Sequence, residues 1–180
     1  LVQGQIAETR GPSEDEDPLA HYLQVVADKT GSLIAASAVF GGMVSHASPE
    51  IVAALERFGE DIGEVFQLAD DLIDITSTAT GKTPGTDLRE KVPTLPTLML
   101  RSSGDPSDDE LKKMLDADLS DDAVLADVLE KLRANHVVEE ARAEIQRRAD
   151  RARTHLAPLP DGDAKQALVA LCDEVVSRSS

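Results

Sequence analysis

Aromatic residues are nearly missing from this chain: three Phe, one Tyr and no Trp in 180 residues. With Ala and Leu abundant, apolar residues recurring at helical spacing and no alternating strand pattern, that shortage points to an all-α protein. Basic residues are scarce too, 18 Lys and Arg against 34 Asp and Glu, for a net charge of -16. Such a balance excludes nucleic acid or an anionic membrane as the main partner, so any phosphate site must be local. A single cysteine excludes an intrachain disulfide and agrees with a reducing cytoplasm. Cys172 recurs with Leu168, Leu171, Val175 and Val176 at helical spacing, the pattern of a buried packing residue. There is no signal peptide and no apolar run of the roughly 18 residues that stable membrane insertion needs. The sequence opens on Leu1-Val2-Gln3-Gly4-Gln5, without Met and inside a helical pattern, and reads as the continuation of a preceding segment.

Helices are expected over residues 1–10, 18–45, 49–76, 93–101, 121–134, 137–156 and 163–178, in one domain. Thr30-Gly31-Ser32 marks a kink in the second of these, and Ser48-Pro49 supplies an N-cap and a first-turn proline for the third. Ser107-Asp108-Asp109-Glu110 has capping-box spacing, which explains its acids without a metal.

The chemistry concentrates in Asp70-Asp71-Leu72-Ile73-Asp74 and in the loop that follows it. At about 100° per residue, with Asp70 at 0°, Asp74 falls at about 40°, Gln67 at about 60° and Asp71 at about 100°. Three carboxylates and an amide thus share one arc, while Val65, Leu68, Ala69, Leu72 and Ile75 take the other. Like charges at this spacing repel by a few tenths of a kcal/mol in an exposed helix. A hard divalent cation relieves that repulsion, and Mg²⁺ fits best because it takes one or two carboxylates and fills its shell with water and phosphate oxygens. Gly81-Lys82-Thr83 is not a nucleotide P-loop: that pattern needs Gly where Thr76 stands, and Pro84-Gly85 cannot begin the helix that should follow. Lys82, Lys91 and the Lys29-Thr30 pair are candidate phosphate contacts.

Lys29-Thr30-Gly31, Phe66-Gln67-Leu68-Ala69-Asp70-Asp71-Leu72-Ile73-Asp74, Gly81-Lys82 through Gly85-Thr86-Asp87-Leu88, Lys91 with Thr94-Leu95-Pro96, and the closing Val175-Val176-Ser177-Arg178 together resemble the C-terminal part of a trans-type polyprenyl diphosphate synthase. The resemblance runs over nearly all 180 residues. It implies an isoprenoid-synthase helical bundle and head-to-tail condensation of an allylic prenyl diphosphate with isopentenyl diphosphate. It further implies Mg²⁺ on Asp70, Asp71 and Asp74, diphosphate contacts from Lys29, Thr30, Gln67, Lys82 and Lys91, catalytic parts for Lys29, Thr30 and Lys82, and a homodimer. The family's first aspartate-rich motif has no counterpart here, so residues 1–180 are expected to be one part of a single synthase domain and inactive alone. Arg89-Glu90 precedes Lys91 where relatives commonly carry a glycine. Two other readings are a noncatalytic all-α interaction module and, less well matched because of the missing aromatics, a terpene cyclase.

Overall fold

The computed structural model describes residues 1–76 and 84–178, and every regular element among them is helical. Helix α1 (Val2–Arg10) is followed by α2 (Pro18–Val26), which opens on Asp17, whose carboxylate accepts the Ala20 amide at 2.8 Å. Where the sequence predicts a kink at Thr30-Gly31-Ser32, the chain makes a π-helical turn over Ala27–Gly31 and resumes as α3 (Ser32–Val44). A π-turn bulges one residue out of the helical ladder and changes which side chains face inward. Here it turns Thr30 toward the next helix, α4 (Pro49–Thr76).

The remaining elements are α5 (Thr86–Arg89), α6 (Leu95–Ser102), a 3₁₀ turn (Pro106–Asp108), α7 (Asp109–Leu115), α8 (Asp122–Arg133), α9 (His136–His155) and α10 (Asp163–Ser177). The expected capping box at Ser107 does not form. Asp105 caps instead, accepting the Ser107 amide at 2.8 Å, because the turn starts at Pro106, two residues before the start a Ser107 cap implies. Asp108 faces inward and accepts Ser103 Oγ at 2.6 Å and Asn135 Nδ2 at 2.7 Å, a structural role that needs no metal.

Helix α4 is the axis of the molecule, with α3, α9 and α10 packed around it. Its predicted apolar arc, Val65, Leu68, Ala69, Leu72 and Ile75, is fully buried, and each large aliphatic contributes about 1.5–3 kcal/mol by leaving water. Leu68 and Leu72 join Val138, Ala141, Ile145 and Ala149 of α9, with Cys172 of α10 buried in the same cluster as its spacing predicts. A second cluster gathers Ile75, Leu88, Leu100, Leu125 and Leu129 at the C-terminal end of α4. There Arg133 Nε donates to the Ile75 carbonyl at 2.6 Å, satisfying an acceptor that the helix end leaves open.

Two glycines bring α4 against the π-turn and α3. A Cβ on Gly59 would lie 2.4 Å from Ala35 Cα, and one on Gly63 would lie 2.8 Å from Gly31 Cα. Backbones meet there with no room for a methyl group. On another side of α4 a polar seam faces α9: Arg151 clamps Asp61 through two bonds of 2.8 and 2.5 Å, His155 Nε2 lies 3.0 Å from the same carboxylate, and Arg148 pairs with Glu64.

Candidate active site

A cleft of about 300 Å³ opens between α2, the π-turn and α4, bounded by Tyr22, Lys29, Thr30, Gln67, Asp71 and Asp87. Thr30 Oγ1 donates to Gln67 Oε1 at 3.2 Å, and Gln67 Nε2 donates to Asp71 Oδ1 at 3.2 Å. An ionised carboxylate only accepts, so Asp71 fixes the Gln67 amide with its nitrogen inward and its oxygen toward Thr30. The other Asp71 oxygen accepts the Tyr22 hydroxyl and, at 3.2 Å, the Leu95 amide at the start of α6. Three stretches of chain, α2, α4 and the start of α6, therefore meet at one carboxylate, with the π-turn joined to it through Gln67.

Asp71 differs from its two neighbours in the motif. It is 4 % exposed, and burial raises its pKa to about 6, although hydrogen bonds from Tyr22, Gln67 and Leu95 pull it down. The Tyr22 hydroxyl is pushed well above its ordinary value, first by burial and then by the Asp71 charge. Because the folded-state value for Asp71 exceeds that of the unfolded chain, the charged form burdens the fold. That burden, up to about 3 kcal/mol at 1.36 kcal/mol per unit, is complete above about pH 6 and vanishes as the pH falls toward 3.8. Asp71→Asn removes it, so the melting temperature of the variant minus that of the wild type should rise as the pH is raised from 4 to 8 in metal-free buffer. A difference that does not change with pH would show that Asp71 does not titrate in this window.

Asp70 lies at the surface, with its side chain 43 % exposed, and Arg178 Nη2 sits 3.1 Å from its Oδ1. The guanidinium also lies over the ring of Phe66, 5.0 Å from its centroid. Asp74 is engaged by backbone: its carboxylate accepts the amides of Thr86 at 3.3 Å and Asp87 at 3.2 Å, and its carbonyl accepts that of Gly85 at 2.9 Å. Gly85 takes φ +77°, a left-handed conformation suited to glycine, which allows the returning loop to dock there. The three aspartates share a helix face, as their spacing predicts, but each is directed to a different partner. Among the described residues no three His, Cys, Asp or Glu side chains gather where one ion could bind them.

The other expected site residues divide. Lys29, Thr30 and Gln67 line the cleft with Asp71, and Lys29 pairs with Glu8 of α1 at 2.8 Å. Lys91 is exposed, with Nζ 3.5 Å from the Asp116 carbonyl, and is not among the residues that bound the cleft. Lys82 lies outside the described residues. Two participants carry no role in the motifs: Tyr22, 49 residues from Asp71, and Arg178, part of the closing stretch of the resemblance but 108 residues from the Asp70 it pairs with. The only hint of the first is that it is the single tyrosine of a chain almost without aromatics.

The fit to a divalent cation rests on charge and donor type. Among the described residues three carboxylates border the cleft, Glu8, Asp71 and Asp87, against one lysine, a balance that opposes a diphosphate entering alone. Asp70 offers hard oxygen donors at a half-exposed position, and Mg²⁺ needs only one or two carboxylates beside phosphate oxygens and water. The residues present fit the ion through Asp70, with Asp74 one turn away on the same face.

Residues 1–132 match the polyprenyl synthetase family, and the chain belongs to that family. A nonaprenyl diphosphate synthase of Mycobacterium tuberculosis is 48% identical over 181 residues, covering 99% of this chain and 54% of that protein. Octaprenyl diphosphate synthase of Escherichia coli is 29% identical over 99% of this chain and 56% of its own length. The crystal structure of geranylgeranyl pyrophosphate synthase from Corynebacterium glutamicum complexed with calcium and isoprenyl diphosphate superposes with a TM-score of 0.91 at 43% identity, over 98% of this chain and 55% of that one. The chain thus spans about half the length of the relatives it matches.

Proposed function

We propose that this chain forms one wall of the active site of a Mg²⁺-dependent prenyltransferase, which extends an allylic prenyl diphosphate by head-to-tail condensation with isopentenyl diphosphate. The observation that carries the reading is the Thr30–Gln67–Asp71 array beside Lys29 in the cleft; Asp70, next to Asp71 on α4, is half-exposed and lies outside the residues that bound the cleft. The names of the relatives, all prenyl diphosphate synthases, support the substrate class.

In this reading Asp70 and Asp74 hold Mg²⁺, which when bound offsets the charge that develops on the departing diphosphate. Lys29 gives up Glu8 for a phosphate oxygen and acts as a point charge. Thr30 and Gln67 orient the diphosphate end of the allylic substrate. Asp71 contributes by fixing Gln67 and tying α2 to α6, although its place in the motif is that of a metal ligand. Lys82 and Lys91 belong to the same proposal as diphosphate contacts, Lys91 only if its side chain leaves the Asp116 carbonyl. A homodimer belongs to the same proposal on the family resemblance; exposed Val2, Ile6, Phe40, Met43 and Val44 leave apolar surface on α1 and α3 that either a further part of the synthase domain or a second copy would cover. Cytoplasmic placement accords with the single buried cysteine and with helices none of which, among the described residues, is long and apolar enough to cross a membrane. The charge of -16 speaks against nucleic acid as a partner.

Calorimetric titration with pyrophosphate tests the metal coupling. Binding should be weak without Mg²⁺ and strong with it, because the acidic lining opposes the anion until the cation is present. Equal binding under the two conditions would remove metal bridging from the reading.

A further inference from the structure

We propose that Arg178 and a divalent cation are alternative occupants of Asp70, so that the end of α10 lowers the metal affinity of the aspartate-bearing helix; this rests on the reading of Asp70 as a metal ligand. Asp70 and Phe66 stand one turn apart on α4 and make a two-point seat: the carboxylate takes Nη2 at 3.1 Å, and the ring takes the guanidinium face at 5.0 Å. The other nearby carboxylates are committed elsewhere, Asp71 to Tyr22, Gln67 and Leu95, and Asp74 to the amides of Thr86 and Asp87. Asp70 is therefore the carboxylate of the motif whose partner is a half-exposed side-chain cation, whereas Asp74 is held by backbone amides.

Guanidinium and metal compete for physical reasons. Arginine stays protonated at every working pH, so a cation on the same carboxylate meets a full positive charge within a few ångströms. The ion pair is partly exposed on both sides and therefore weak, which makes it displaceable and not a permanent cap. By linkage, whatever Arg178 takes from metal affinity, metal takes from the hold on Arg178.

Mn²⁺ binding followed by electron paramagnetic resonance, on the protein without substrate at low ionic strength, reads this without turnover. Arg178→Gln should bind Mn²⁺ about three- to tenfold more tightly than the wild type. Arg178→Lys, which keeps the charge but loses the planar stack, should fall between them. One molar salt should narrow the difference. The Arg178 Nε–H resonance, identified by its loss in Arg178→Gln, should shift as Mg²⁺ is added. Equal or weaker Mn²⁺ binding by Arg178→Gln, with binding lost in Asp70→Asn, would overturn the competition and leave the metal reading standing. Asp70→Asn binding Mn²⁺ like the wild type would overturn both, and no binding by any of the proteins would overturn the competition.

Discussion

Asp70→Asn in the complete enzyme should reduce prenyl-transfer turnover by at least about a hundredfold, the scale of losing one preorganised stabiliser of transition-state charge, while the melting temperature stays level or rises. The two readouts separate because Asp70 does little for the fold. Its side chain is 43 % exposed and its partner Arg178 is 41 % exposed, so the pair is worth little to stability. Removing the charge also relieves repulsion with Asp74 one turn on. Asparagine keeps the size of the side chain but gives up the anionic oxygen that Mg²⁺ prefers. Turnover at fixed substrate and thermal melts of the same preparations check the expectation. A large loss of melting temperature with turnover preserved would make Asp70 a structural residue.

Gly59→Ala and Gly63→Ala should each destabilise the protein by about 1–3 kcal/mol, the range for overpacking a close contact. At about 2–4 °C per kcal/mol for a chain of this size, calorimetry should find the transition several degrees lower. The new methyl groups would sit 2.4 Å from Ala35 Cα and 2.8 Å from Gly31 Cα, and neither neighbour is the end of a flexible side chain. The two variants should differ in activity. Gly63 faces the π-turn that carries Lys29 and Thr30, so its substitution should move Thr30 away from Gln67 and raise the KM for the allylic diphosphate. Gly59 faces α3 and should affect stability more than KM. Melting transitions unchanged by either substitution would mean that the helices separate at no cost and that these glycines do not set the site.

The glycines also mark where sequence reasoning stops. Gly59 and Gly63 lie inside a helical pattern, where glycine is merely unfavourable, and nothing local says that another backbone presses on them. The kink at Thr30-Gly31 is legible because a glycine and a β-branched residue interrupt an apolar pattern. That it becomes a π-turn depends on the backbone of α4 lying against it.

Other features are local and can be read directly. The course of α4 from Pro49 to Thr76, its buried arc and the place of Cys172 follow from the 3.6-residue period and the caps, which act within a few residues. That Asp70, Asp71 and Asp74 share a face follows from the same period. Which of them stays accessible to a cation is a tertiary matter, because the deciding partners come from far along the chain: Tyr22 and Leu95 for Asp71, the loop amides of Thr86 and Asp87 for Asp74, and Arg178 for Asp70. Periodicity fixes the direction of a side chain relative to its own helix. Its burial, its acidity and its hydrogen-bond partners depend on what the other helices bring against it, and one helix cannot specify that by itself.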